Sequence, residues 1–126
     1  MSNEISYLPL DRLYVHEKQR PDDVYMFQPM GGDEIRRYTW KQTGDEARRM
    51  AAYLKGLGYP EGSAIAILSK NCAEFVISDL AIFMAGYVSC AIYPNLDAET
   101  VNYIITHSES KMLFVGKLDD WDNMKP

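Results

Sequence analysis

Three short, predominantly apolar runs lie in the second half of the chain and constrain its fold most strongly. They occupy residues 64–68, 88–93 and 112–115, and the segments between them have helical patterns. Strands that are apolar at every position are typical of a sheet covered on both faces, because an exposed face would show alternation. Strands and helices that alternate in this way give parallel pairing with right-handed crossovers. The sequence therefore predicts an α/β fold with a β-α-β-α-β parallel sheet.

The first half of the chain carries a β-hairpin signal followed by one amphipathic helix. Residues 24–29 and 35–40 favour strands, and the turn residues 31–33 separate them. One buried helical stripe follows, with its apolar positions at Ala47, Met50, Ala51 and Leu54. Gly58 suits the residue just past the end of that helix.

Residues 1–23 are polar with scattered aromatics, and the spacing from Leu10 to Glu17 predicts a short helix that ends before Pro21. We interpret residues 1–23 as an N-terminal extension. Residues 24–126 are interpreted as one partial subdomain, which the length and average composition of the chain allow.

Local capping signals predict the helix boundaries of the second half. Asn71, with Glu74 three positions later, predicts a capping box that opens a helix over 72–85. Gly86 ends this helix, and Asp97 predicts the N-cap of the next one.

Ligands of open parallel sheets bind beyond the carboxyl ends of the strands. Here those ends are residues 69–71, 93–95 and 116–117. Lys70 and Lys117 are the best-placed basic side chains, although ordinary solvated lysines are favoured over functional ones.

The residue types of a complete catalytic or metal site do not come together in the sequence. The glycines of 56–62 miss the spacing of a dinucleotide-binding loop and follow a helix, so they favour a helix stop and a turn. A nucleophile–base pair of Ser108 and His107 would lack an orienting carboxylate, which favours a plain histidine at a helix end. The acidic residues of 119–122 favour a solvated helix start over a site for a hard cation.

The basic and thiol groups also favour structural interpretations. The arginine doublets at 36–37 and 48–49 favour solvated positions or subunit contacts over a phosphate site. Cys72 and Cys90 lie in apolar segments without C-x-x-C spacing, so two buried free thiols are favoured over a disulfide or a metal site.

The charge distribution excludes one class of partner. The chain has 13 basic and 18 acidic residues and a net charge of −5, which argues against sequence-independent nucleic-acid binding. All six arginines precede residue 50, so the second half of the chain has no arginine from which a phosphate site could be built. The most apolar stretch, residues 80–93, is too short to span a bilayer. We expect a cytoplasmic protein without a transmembrane segment.

Four segments together resemble the N-terminal part of the adenylate-forming acyl-CoA synthetases, the AMP-binding family. Residues 38–58 resemble that family's T-Y-x-E-L opening followed by A-x-x-L-x-x-x-G, and residues 62–74 resemble G-D-R-V-A-I-L-x-x-N-x-x-E. Residues 84–94 are similar to K-A-G-x-x-x-V-P-x-x-P, and residues 111–115 to K-x-L-F-V. The resemblance implies the fold of the first part of that family's large N-terminal domain.

One detail of the resemblance concerns the branch of the family. The Ile92-Tyr93-Pro94 form looks most like the long-chain fatty-acid–CoA ligases. The sequence departs from the family pattern at Ala64, Ala91 and Trp40, positions that concern packing more than chemistry.

The resemblance implies a two-step reaction in a full-length parent. A fatty-acid carboxylate attacks the α-phosphate of Mg²⁺-bound ATP to give an acyl-adenylate, and the thiol of coenzyme A then displaces AMP. The family's phosphate loop, adenine-binding segment, ribose-binding aspartate and C-terminal lysine have no counterpart in this chain. The resemblance therefore assigns no catalytic, cofactor-binding or metal-binding residue here. We expect this chain alone to be an inactive fragment without bound cofactor.

Two other functions remain open at this stage. One is a stand-alone α/β binding domain, and the other is a dimerisation domain whose hairpin supplies the interface. A homodimer and a peripheral membrane contact are open in the same way.

Overall fold

The structure is a computed structural model that describes residues 6–126, so the first five residues of the predicted extension lie outside the described residues. In chain order the elements are α1 (Pro9–Gln19), β1 (Val24–Gly31), β2 (Glu34–Thr39), α2 (Trp40–Gly56), β3 (Ala64–Leu68), α3 (Ala73–Met84), β4 (Val88–Ile92), α4 (Ala98–His107), β5 (Leu113–Val115) and α5 (Trp121–Met124). The predicted hairpin and the predicted strand–helix–strand–helix–strand order are both confirmed.

The strands form two sheets. β1 and β2 pair antiparallel as a hairpin around a turn in which Gly31 and Gly32 both have positive φ. β3, β4 and β5 form a parallel sheet in the order β4-β3-β5, so the second crossover passes over β3 to its other side. This order creates a switch point between β3 and β5, and ligands of doubly wound sheets bind at such points.

The central strand β3 separates two hydrophobic cores. Ile65 and Ile67 face one core, which contains the buried side chains of α2 and α3. Ala66 and Leu68 face the other, where they pack with Val101 of α4 and with α5. Every residue from Ile65 to Leu68 is at most 1% exposed, so the predicted coverage of both faces is confirmed for β3.

The outer strands are covered less than the sequence predicts. Val88 and Ala91 of β4 and Val115 of β5 are exposed. The prediction of full coverage is wrong for β4 and β5, because each flanks β3 on one side only and contributes to the cores from their edges.

A capping box fixes the junction between the hairpin and α2. The Thr39 side chain accepts from the Gln42 backbone N–H, and the Gln42 side chain accepts from the Thr39 backbone N–H. The helix therefore begins at Trp40, a residue that the sequence pattern assigned to the preceding strand. Gly58 follows the helix with φ +74°, in agreement with its predicted stop role.

A buried leucine and an ion pair contribute to the packing of helix α1 against α2. Leu13 is buried in the core of α2 and α3. Arg48 donates to both carboxylate oxygens of Glu17, at 3.1 and 2.6 Å, and also to Asp45 at 2.8 Å. A Cβ at Gly44 would collide with the Glu17 carboxylate, so a larger residue there would require the end of the Glu17 side chain to shift.

The predicted capping box of α3 is wrong. The helix begins at Ala73 with Cys72 as its N-cap, and the N-cap side chain makes no capping hydrogen bond. Asn71 lies one residue too early to serve, because the chain is still in the loop that leaves β3. The Ala73 N–H is satisfied instead by Gln28, a residue of the hairpin.

Two other capping predictions are confirmed. Asp97 caps α4 by accepting from the Thr100 N–H at 2.8 Å, and Gly86 ends the α3 segment with φ +82°. Both cysteines are free but partly exposed, so their predicted full burial is wrong. Within residues 6–126, no helix combines the length and apolarity that a bilayer-crossing segment requires.

Candidate functional site

The carboxyl edge of the parallel sheet brings two of the three predicted strand ends into direct contact. Ser69 and Lys70 follow β3, while Gly116 and Lys117 follow β5. The Lys70 backbone N–H donates to the Lys117 carbonyl at 2.7 Å, and the Gly116 N–H donates to the Leu68 carbonyl at 3.0 Å. These bonds lock the two loops together at the switch point of the sheet.

Ser69 is the centre of this junction and is only 3% exposed. Its hydroxyl donates to the Lys70 carbonyl at 2.7 Å and accepts from the Lys117 N–H at 3.1 Å. A Cβ at Gly116 would overlap the Ser69 side chain, so glycine is required for this close approach. Ser69 was not predicted individually from the sequence. Its only signal there is that of a polar residue directly after a fully buried strand.

The two predicted lysines have different surroundings. Lys70 forms an ion pair with Asp119, with 2.5 Å between Nζ and the carboxylate. Lys117 lines a cleft of about 460 Å³ between the hairpin and the carboxyl edge, together with Gln28 and Cys72. Within residues 6–126 no ion pair involves Lys117. Lys117 is thus the basic side chain that remains available at this edge.

The end of β4 contributes to a separate cavity on the other side of the β3–α3 loop. Asn71, Phe75, Tyr93 and Pro94 line this cavity, which measures about 270 Å³. The Tyr93 side chain is 76% exposed. The loop of residues 69–72 therefore separates two clefts, one facing the hairpin and one facing β4.

The other candidate residues from the sequence do not come together in a catalytic or metal-binding arrangement. The Ser108 hydroxyl donates to the Ile105 carbonyl at 3.2 Å, and the His107 ring stacks on Tyr103. The acidic residues after β5 have separate partners, because Asp119 pairs with Lys70 whereas Asp120 accepts from a side-chain amide of α5.

The arginines of the two doublets contact neighbouring side chains. Arg36 and Arg37 point to opposite faces of β2, where Arg36 lies over the Tyr38 ring and Arg37 lies over the Phe27 ring. Arg48 ties α1 to α2, and Arg49 lines an open apolar groove between α2 and α3.

The pKa values of two side chains near the hairpin are shifted from their ordinary values. Burial lowers the pKa of His16, and the positive charges of Arg20 and Arg12 act in the same direction. The His16 ring lies 4.4 Å from Trp40, and its Nδ1 accepts from the Arg20 guanidinium at 3.1 Å. Burial, with the nearby Glu74 carboxylate, raises the pKa of Tyr38.

The geometry supports binding at the carboxyl edge but supplies no complete catalytic set. Among residues 6–126, no three His, Cys, Asp or Glu side chains group closely enough to hold a metal ion. The hydroxyls of Ser69 and Ser108 donate to backbone carbonyls rather than to a histidine base. The edge can position a ligand, with Lys117 and the exposed Tyr93 as its available side chains.

Comparison with known proteins gives one family match over nearly the whole chain. The model of the AMP-binding enzyme family matches residues 13–125. A 2-methylpropanoate–CoA ligase of Humulus lupulus is 35% identical over 81 residues, which are 64% of this chain and 15% of the ligase. A peroxisomal acetate/butyrate–CoA ligase of Arabidopsis thaliana is 34% identical over 82 residues, 65% of this chain and 14% of that protein.

A solved structure agrees with the same family. The anthranilate–CoA ligase crystallised with anthranoyl-AMP superposes with a TM-score of 0.78 and 27% identity, over 89% of this chain and 21% of that one. The chain thus spans about 15% of the curated relatives named above.

Proposed function

Because the chain belongs to the AMP-binding enzyme family, we propose that it forms the first part of an AMP-forming acid–CoA ligase. The ligase would join a carboxylate to the α-phosphorus of ATP, with release of pyrophosphate. The thiol of coenzyme A would then attack the acyl carbon and release AMP. The observation that carries this proposal is the family match over residues 13–125, which the fold likeness to an anthranilate–CoA ligase supports.

In this proposal the chain serves as scaffold. Its residues do not fit ATP or Mg²⁺, since the phosphate-loop pattern is absent from the sequence and no metal-ligand group forms within residues 6–126. ATP, Mg²⁺ and coenzyme A belong to the whole ligase, and the chain alone is an inactive fragment. The division into an extension over 1–23 and a partial subdomain over 24–126 stays a prediction.

The apolar surface of the structure supports an incomplete domain. Val88 and Val115 are exposed on the outer strands, and Tyr53 of α2 is 59% exposed beside the apolar groove. Exposed valines on both edge strands are what we expect where further elements of a larger domain would pack.

The acid substrate has two candidates. We propose a long-chain fatty acid as the first candidate substrate, on the basis of the Ile92-Tyr93-Pro94 sequence. A short or branched acid is the second candidate, favoured by relatives that are named for 2-methylpropanoate and for acetate and butyrate.

We keep the cytoplasm as the proposed compartment, with the peroxisome as the alternative that one relative's name suggests. Homodimerisation and a peripheral membrane contact remain proposals, and no nucleic-acid partner is proposed.

The test has two arms. Calorimetry of this chain with Mg²⁺-ATP should give no saturable heat, and micromolar binding would refute the scaffold role. ATP–pyrophosphate exchange should then be measured on the longest protein encoded by the gene that contains this segment, with acids of 2 to about 18 carbons. Exchange with one class of acid supports the ligase and identifies its substrate. Absence of exchange with every acid favours a stand-alone binding domain.

A further inference from the structure

Gln28 joins the hairpin to the carboxyl edge of the parallel sheet. Its side-chain oxygen accepts from the Ala73 backbone N–H at 2.7 Å, and its side-chain nitrogen donates to the Pro29 carbonyl at 2.9 Å. The two residues of the first bond are 45 positions apart in the sequence. Gln28 is therefore a cap for α3 that is supplied by a different element.

The helix needs this cap because its own N-terminus provides none. The first backbone N–H groups of an α-helix have no partner within the helix, and a side-chain oxygen normally satisfies one of them. Cys72 occupies the N-cap position of α3 and makes no capping bond. Glu74 lies in the first turn of the helix, and its carboxylate is close enough to Tyr38 to raise the pKa of that phenol.

The cap holds one end of the loop that carries the candidate site. The other end of that loop is fixed by Ser69, through its bond from the Lys117 N–H, and by the backbone bond from Lys70. Gln28 and Lys117 both line the cleft of about 460 Å³. Gln28 thereby links the hairpin to residues 69–73 by a direct hydrogen bond.

We propose that Gln28 is a positioning residue, which sets the placement of the β3–α3 loop and the width of the cleft beside Lys117. The proposal rests on the proposed function only in taking this edge as the face that a substrate meets. A carboxamide is suited to the role because one group both accepts from the helix and donates to the hairpin backbone.

The experiment is amide hydrogen exchange, followed residue by residue by NMR on this chain. In Gln28→Leu, which keeps the size of the side chain but removes the acceptor, exchange at Ala73 should accelerate about fivefold or more, as expected for loss of one ordinary hydrogen bond. In Gln28→Glu the acceptor remains and its negative charge is favourable at a helix N-terminus. Protection at Ala73 should therefore persist.

Gln42→Leu is the matched control, because Gln42 makes the same kind of cap at α2. It should expose the Thr39 N–H and leave Ala73 unchanged. Exchange at Ala73 within twofold of the parent in a folded Gln28→Leu chain would overturn the proposal. If the Leu variant does not fold, the Glu variant decides, since loss of protection there overturns the proposal as well. The measurement uses no nucleotide, so its failure is distinct from a failure of the ligase proposal.

Discussion

Replacing Gly116 by alanine tests how tightly the two loops at the carboxyl edge are packed. The new Cβ would overlap both side-chain atoms of Ser69, which is buried and cannot swing away. Gly116 is not in the left-handed region, so the cost is steric rather than conformational. Overpacking of a dense site costs about 1–3 kcal/mol, and losing the Ser69 bond to the Lys117 N–H costs about 1 kcal/mol.

The unfolded state offsets a small part of this cost. Alanine restricts the unfolded chain more than glycine does, and this effect alone would raise the free energy of unfolding by about 0.4–1 kcal/mol. We therefore expect Gly116→Ala to lower the free energy of unfolding by about 2–3 kcal/mol, a large fraction of the 5–15 kcal/mol that is typical of a domain. Urea denaturation followed by circular dichroism measures this value if the slope of the transition is unchanged.

Two further variants isolate the cause. Gly56→Ala is the matched control, because a Cβ at Gly56 meets nothing within 4 Å and the residue ends a helix. It should be neutral or stabilising by up to about 1 kcal/mol. In a Ser69→Gly background, Gly116→Ala should cost less than about 1 kcal/mol, because its collision partner is gone. An equal cost of Gly116→Ala in both backgrounds refutes the steric reasoning.

Three further changes address the first half of the chain. Arg48→Ala removes the two-pronged contact with Glu17, and because the arginine is about half exposed we expect a loss of only about 1 kcal/mol in urea denaturation. Thr39→Ala removes one half of the α2 capping box and should cost about 1 kcal/mol in the same assay. His16 has a folded-state pKa below its ordinary 6.5, so its stabilising effect is present above that pH and is lost as the pH falls below it. Melting temperatures measured from pH 7.5 to pH 5 should fall more steeply in the parent chain than in His16→Gln.

Each of these predictions has its own control. Arg49→Ala should change stability less than Arg48→Ala, because Arg49 forms no ion pair among residues 6–126. Thr39→Ser keeps a hydroxyl and should retain most of the cap. Equal losses for the two arginines, or for Ala and Ser at position 39, would contradict the assigned contacts. Parallel pH profiles for the parent and His16→Gln would contradict the role of His16 beside Arg20.

Local patterns were sufficient to predict the elements and their order. The run from Ala64 to Leu68 identified the central strand because its last four side chains alternate between the two cores. The Asp97 cap was predictable because its carboxylate accepts from a backbone N–H only three residues along the chain. Gly86 was readable because the positive φ required at a helix end is adopted readily only by glycine.

Contacts between distant segments were not predictable in this way. The cap on α3 comes from Gln28, and its sequence signal was only a polar side chain at an inward position of β1. The bond between Ser69 and Lys117 joins residues 48 positions apart. Periodicity identifies the buried face of an element, but it does not say which neighbour will lie against that face. The candidate site was therefore predicted by location, at the strand ends, and not by its hydrogen bonds.

The shared central strand also governs how the protein can fold as it is synthesised. Tyr38 of the hairpin and Leu54 of α2 bury their side chains in the same core as Ile65 and Ile82, which are translated later. A nascent chain that ends before β3 would expose the apolar faces of the hairpin and α2, the state in which chaperones bind and aggregation begins. The arrival of β3 and α3 gives the earlier elements their partner, while the second core forms only after α4 and α5 emerge. Synthesis thus completes one side of the central strand before the other.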